Sequence, residues 1–240
     1  MKIKDLPLVR SRTEMDAWPE GRFLIDTVNA HSFVVAGKDT AFADALLSAD
    51  ALLPDGISIV KACRFLRTQN APDEKIAGAD LFAYEMGKLN EKGGVCFFLG
   101  SSPTTLALIV EKAAKVYPNI RVITYSPPYQ AAFTPEESRA MVNAVHAANP
   151  DLLWVGMTAP KQEKWLYDHW NDLDIHCHAG AIGAVFDFFA GTVKRAPQKW
   201  IDLGLEWLYR LLKEPRRTWR RYLVNNTVFC WLVLKEKIGL

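Results

Sequence analysis

The chain has 240 residues, half of them hydrophobic, and 29 basic against 27 acidic side chains give a formal net charge of +2. This is enough apolar material for one large core, with or without a small appendage, and it excludes a disordered or fibrous chain. Because the charges nearly cancel, a protein that grips nucleic acid with its whole surface is also excluded, and any electrostatic function is local.

At the N-terminus no apolar run reaches signal-peptide length, and nowhere does one reach the roughly 18 to 20 residues of a membrane span, so a cytosolic protein is expected. Residues 22–28 and 32–37 read as two strands around Asn29-Ala30-His31. Helical patterns follow over 38–50 and 56–66, and 68–78 carries loop signals. From there short apolar runs alternate with amphipathic patterns: 94–100 before 103–117, 120–126 before 134–149, 151–157 before 159–170, and 174–180 before 181–191. Continuous apolar strands spaced by helices predict an α/β fold, a Rossmann-like parallel sheet with helices on both faces. From Pro197 the pattern is helical only, with Pro215 placed to break it. The expected division is therefore a catalytic α/β domain over 1–196 and a helical, membrane-associating appendage over 197–240. Cys63, Cys96, Cys177 and Cys230 stand far apart in apolar segments, as reduced, buried thiols do, rather than as a disulfide framework or a zinc site.

Ligands of parallel α/β sheets bind beyond the carboxyl ends of the strands, so the residues after each apolar run are the candidates for chemistry. Gly100, Ser101 and Ser102 offer amides and hydroxyls to an anion, or simply cap a helix. Thr158 reads as an N-cap with Pro160 in the first turn. Gln162 carries an amide suited to a uracil edge or sugar hydroxyls, or lies in a solvated turn. Asp55, between Pro54 and Gly56, is either a cap or a carboxylate aimed into a cleft as a general base, and Thr27 and Asn29 are short polar groups at a strand end. His176 and His178 alternate on a strand without a third ligand at metal spacing, so both are expected to be buried and hydrogen-bonded. No metal and no cofactor is implied, and no glycine fingerprint of a dehydrogenase is present.

Within 205–223 the stretch from Arg210 to Arg221 gathers Arg210, Lys213, Arg216, Arg217, Arg220 and Arg221 against Glu214, and Trp207, Tyr209, Trp219 and Tyr222 are interleaved with them. A nucleic-acid grip, a membrane anchor and an anion site of a catalytic pocket are all compatible with this pattern. An adaptor that uses only this segment is the alternative to an enzyme. The apolar run that follows is short and holds Asn225 and Asn226, which suits a membrane interface better than a span.

The blocks "TVNAH", "PDG", "KIAGADL", "FFLG", "APKQEKW", "VFDFFAGTVKRAP" and "GLEWLYRLLKEPRR" occur in the order found in the WecG/TagA/CpsF family of bacterial glycosyltransferases, which the chain resembles from about Asp26 to Arg221. The resemblance implies an inverting, metal-independent transferase. Its partners would be a UDP-sugar donor, a polyprenyl-diphosphate-linked acceptor and the inner face of the cytoplasmic membrane, in surface polysaccharide assembly, with no nucleic acid. It implies Asp55 as catalytic base and Thr27, Asn29, Lys75, Gln162, Asp187, Arg210, Arg217 and Arg220 as substrate-binding residues. Lys75 stands where relatives carry arginine, keeping the charge but losing the bidentate fork. On this reading Arg210, Arg217 and Arg220 complete a diphosphate site while Arg216, Arg221 and Trp219 face lipid. Exposed apolar surface on the terminal helices suits either lipid or a second subunit, so a homo-oligomer is a further expectation.

Overall fold

The computed structural model describes residues 1–239, except for the side chain of Arg217. Six parallel strands form one sheet: β1 (Phe23–Val28), β2 (Ala51–Pro54), β3 (Gly94–Gly100), β4 (Ile120–Tyr125), β5 (Leu152–Gly156) and β6 (His178–Ala181), in the order β2-β1-β6-β5-β3-β4. The interior strands β5 and β6 are buried at every position, as parallel strands covered on both faces must be.

Helices α4 (Gly78–Lys92), α5 (Pro103–Val116) and α8 (Gly183–Ala190) cover one face around Phe82, Phe98, Trp154 and Phe186. On the other face, α6 (Pro135–Ala148) and α7 (Lys161–His169) pack over Leu153, Val155 and Trp165. The β2 end is enclosed by α1 (Ala30–Ala36), α2 (Thr40–Leu47) and α3 (Ile57–Leu66). Local chemistry starts these helices where the chain must turn. Thr134 and Glu137 form a reciprocal capping box ahead of Pro135, and Ser102 Oγ accepts from Thr105 N at 3.1 Å just before Pro103.

Beyond α8 come α9 (Gln198–Asp202), α10 (Glu206–Lys213), α11 (Pro215–Trp219), a π-helical turn over Arg220–Val224, and α12 (Asn225–Ile238). Pro215 does separate α10 from α11. The last helix is not free: Phe229 and Val233 are buried against α1 and α3, with Phe229 edge-on to Phe33 at 5.5 Å. Glu236 accepts from the backbone N–H groups of Ile3 at 2.8 Å and Lys4 at 2.9 Å. No described helix is long and apolar enough to cross a membrane.

Several expectations are corrected. Residues 32–36 are helical and Gly37 is the C-cap, because Asn29 and Ser32 form a capping box that overrides the strand preference of Phe33, Val34 and Val35. β2 and α4 are elements that the sequence reading passed over. His176 is exposed, ahead of β6; only His178 is buried, its ring held by Glu85 Oε1 at 3.0 Å and Pro19 O at 2.9 Å. Cys230 is exposed on the outer side of α12, whereas the other three thiols are buried. Thr158 does not cap α7; its carbonyl accepts from Lys161 N at 2.9 Å, and Pro160 occupies the cap position.

Candidate active site

The carboxyl ends of β1 and β2 bring Asn29 and Asp55 together. Asn29 Oδ1 accepts from the N–H groups of His31 and Ser32, both at 3.0 Å, and so caps α1. With its oxygen committed, the amide turns its Nδ2 donor toward Asp55 Oδ2, 3.4 Å away. Asp55 follows β2 and donates its own N–H to Val28 O at 2.9 Å. Gly56, at φ +117, then turns the chain into α3, a conformation that a residue with a Cβ rarely adopts, and this leaves the Asp55 carboxyl outside the helix instead of capping it. Burial pushes that carboxyl above its ordinary range and the nearby Glu206 adds to the effect; Arg221 and the Asn29 hydrogen bond pull it back only in part.

The C-terminal helices close over this end of the sheet. Lys75 Nζ donates to Ile201 O at 3.3 Å, which ties the segment before α4 to α9. Arg195 Nε lies 3.5 Å from Glu206 Oε1 on α10, and the Arg210 guanidinium sits 5.4 Å from the ring centre of Phe188 on α8. Asp187, next to Phe188 in the chain, accepts from Thr192 Oγ1 at 3.3 Å. The interleaved aromatics pair with each other, Trp200 with Tyr209 and Trp207 with Tyr222.

The structure departs from the expected division of the arginines at Arg221. Arg220 is exposed and stacks on Trp219 at 5.3 Å. Arg221, expected to face lipid, is instead half-buried, its charge helping burial to hold down the pKa of His31, and its Nε is buried without a hydrogen-bond partner among the described residues. The reason is the π-helical turn, which places Arg221 about one turn ahead of Asn225, whose amide meets His31 Nδ1. The side chain of Arg217 lies outside the described residues.

Gln162 belongs to a different part of the sheet edge. It is buried, its Oε1 accepting from Met157 N at 3.1 Å and its Nε2 donating to Glu163 Oε1 at 2.9 Å. Gly183 leaves room beside this amide, since a Cβ there would come within 2.4 Å of the backbone Met157 O and 2.5 Å of Gln162 Oε1. Glu163 in turn faces Asp26, which is fully buried with both oxygens unpartnered among the described residues. Desolvation raises both carboxyls, Glu163 to about 7, and the Glu163 charge raises Asp26 further. Nearby, β3 and β5 lead to connections that run in opposite directions, which is the switch point of the sheet. Gly100 there lies so close to Gly156 that a Cβ would be 2.3 Å from its carbonyl oxygen, and Ser102 caps α5. Thr27 lies at the end of β1, half-buried, on the face opposite Asp26.

Sequence reasoning did not single out His31, Arg195 or Glu206, and it turned Arg221 toward lipid. His31 and Glu206 lie inside the quoted blocks "TVNAH" and "GLEWLYRL", but spacing alone carries no sign that they meet. Among the described residues no group of three or more His, Cys, Asp or Glu is arranged to hold a metal.

The profile of the glycosyl transferase WecG/TagA/CpsF family matches residues 2–240. A curated relative from Bacillus subtilis (strain 168), N-acetylglucosaminyldiphosphoundecaprenol N-acetyl-beta-D-mannosaminyltransferase, is 35% identical over 214 residues, 89% of this chain and 80% of the relative. With a parallel α/β sheet, a carboxylate at the carboxyl ends of its strands and a match over nearly its whole length, this chain belongs to the WecG/TagA/CpsF family of glycosyltransferases.

Proposed function

We propose that the chain moves a hexose or N-acetylhexosamine from a UDP-sugar to a sugar carried on a polyprenyl diphosphate, with inversion and without a metal, in surface polysaccharide assembly. The observation that carries this reading is Asp55, presented by Asn29 at the strand ends beneath a cover of cationic helices. The relative's acceptor, a diphosphoundecaprenol-linked sugar, supports the acceptor class.

Inversion needs a base that takes the acceptor hydroxyl proton while its oxygen attacks the anomeric carbon opposite UDP. Asp55 is that base. Raised above the ordinary carboxylate range, it binds the proton more readily than a free aspartate does. UDP leaves with negative charge on its diphosphate, which guanidinium groups of the C-terminal helices offset in a site shielded from water. Arg210 serves here, with Arg217 and Arg220 as further candidates, and Thr27, Lys75, Gln162 and Asp187 line or brace the donor side.

The outer side of the C-terminal helices gives the enzyme a peripheral place on the inner membrane face. Leu223, Trp231, Leu234 and Ile238 are 52%, 55%, 55% and 69% exposed, with Lys235 and Lys237 beside them. Such a face lies in an interface instead of spanning it.

The decisive test is transfer from a panel of UDP-sugars to a short-chain lipid-diphosphate acceptor, with linkage analysis of the product and a parallel assay in chelator. Asp55→Asn is expected to lower turnover by about 10²- to 10⁴-fold with UDP affinity retained. Wild-type protein that transfers from no UDP-sugar to a competent acceptor overturns the reading.

A further inference from the structure

The first turn of α7 is fastened to its surroundings at three points. Lys161 Nζ donates to Gln130 O at 2.7 Å, in the connection after β4, and lies 4.5 Å from the ring centre of Phe133. Lys164 Nζ reaches Asp39 Oδ2 at 2.7 Å, at the start of α2. Between them the Gln162 amide bonds back to Met157 N at 3.1 Å and forward to Glu163 Oε1 at 2.9 Å. Both lysines are therefore engaged away from Glu163, which is 4% exposed and whose one hydrogen-bonded side chain among the described residues is Gln162. Glu163 Oε2 meets no partner there, and neither do the oxygens of Asp26, which shares the sheet face of Leu24 in the core beneath α7.

A buried carboxyl without a cation destabilises the fold, and an apolar residue of similar shape would fill this place at lower cost. What Glu163 supplies is an acceptor for one amide. Gln162 Oε1 is committed to Met157 N and one hydrogen of Nε2 to Glu163, so the second Nε2 hydrogen is what remains to bind a ligand. We propose that Glu163 is a positioning residue for the transfer reaction, fixing the Gln162 amide so that it offers the nucleotide sugar a hydrogen-bond donor and no acceptor. The proposal rests on the transferase reading above and on the place of Gln162 at the donor side in it. The group recognised is then an acceptor oxygen, of a carbonyl, a hydroxyl or a phosphate. A flipped amide is disfavoured twice, since it would set Nε2 against the Met157 N–H and Oε1 against Glu163 Oε1. The arrangement holds in both charge states of Glu163. Burial raises this carboxyl to about 7, and the proton it takes up belongs on the unpartnered Oε2, which leaves Oε1 an acceptor throughout.

The experiment is a double-mutant cycle on the full-length protein, read as UDP affinity by calorimetry. Glu163→Leu removes the acceptor and is expected to weaken UDP binding by about five- to tenfold, the effect of losing one well-placed hydrogen bond. Glu163→Gln keeps an oxygen in place of Oε1 and should stay within about twofold of wild type. In a Gln162→Ala background, the same Glu163→Leu change should alter affinity by less than about twofold, because Glu163 acts only through that amide. A nitrogen-15 spectrum of the side-chain amides gives a second reading that needs no stable Glu163 variant. The Gln162 pair, assigned with Gln162→Ala, should shift with a midpoint near pH 7 as Glu163 titrates. Equal losses of UDP affinity in the two backgrounds, an unchanged affinity in folded Glu163→Leu, or a Gln162 amide that does not respond to pH overturns the positioning role. Wild-type protein that binds no UDP while its Gln162 amide still follows Glu163 overturns the donor reading instead, and the hold on Gln162 stands.

Discussion

Two buried titrating sites give the stability of this protein a pH dependence of one sign. Glu163 has its carboxyl raised to about 7 and Asp26 is raised beside it, so the folded state holds these protons more tightly than the unfolded chain does. Their contribution is present at acidic pH and is lost as pH climbs from the ordinary carboxylate range through about 7. His178 acts in the same direction. Both ring nitrogens meet acceptors, Glu85 Oε1 and Pro19 O, an arrangement that only the imidazolium satisfies with two donors, and these contacts raise its pKa against the cost of burial. Its stabilisation is complete below the ordinary histidine value and disappears as pH rises through the raised one. The melting temperature is therefore expected to fall between about pH 5 and pH 8, and Glu163→Gln should flatten the part of that slope below about pH 7. Scanning fluorimetry across buffers checks this; an unchanged slope in the variant would show that the pair is not titrating.

At the scale of elements, legibility in the sequence followed the strength of the local signal. Strands β3 and β5 were plain because "GVCFFLG" and "DLLWVGM" are long, apolar and bounded by turns. Four-residue β2 was not: "ALLP" runs straight into the Pro54-Asp55-Gly56 turn, and its partner is supplied by the distant β1. Helix α1 was read as a strand since its cap lies in a single pair, Asn29 and Ser32, while three strand-favouring residues follow. In the site, Asp55 and Asn29 were recognisable from their motifs. The Asn225–His31 contact and the Arg195–Glu206 pair were not, because they depend on how the C-terminal helices fold back. That docking is itself testable. Phe229 is 3% exposed and packs on Phe33, so Phe229→Ala should cost about 3 to 5 kcal/mol in denaturant unfolding. A cost below about 1 kcal/mol would mean that α12 contributes little to the folded core.

The whole molecule divides its last helix between two environments. One side of α12 belongs to the core, and the other presents Trp231, Leu234 and Ile238 alongside the exposed Cys230. On the membrane reading, replacing Trp231 and Leu234 together by serine should weaken binding to vesicles rich in anionic lipid by at least tenfold, because two large apolar side chains leave the interface. Turnover on a short-chain, water-soluble acceptor should persist, since neither residue faces Asp55. Flotation and a solution assay on the same preparation read the two effects separately. Loss of both in parallel would indicate instead that this face holds the helices in place.

The hydrogen bonds of Glu236 have a mechanical consequence. They seize the amides of Ile3 and Lys4, and a few residues later Leu8 bridges to Leu52 while Val9 N donates to Leu52 O at 3.0 Å, alongside the strand that delivers Asp55. Residues 3–9 thus serve as a strap from α12 to the strand that delivers Asp55. A push on that helix has a route of a few bonded residues to the Asp55 turn, and the route bypasses the rest of the sheet.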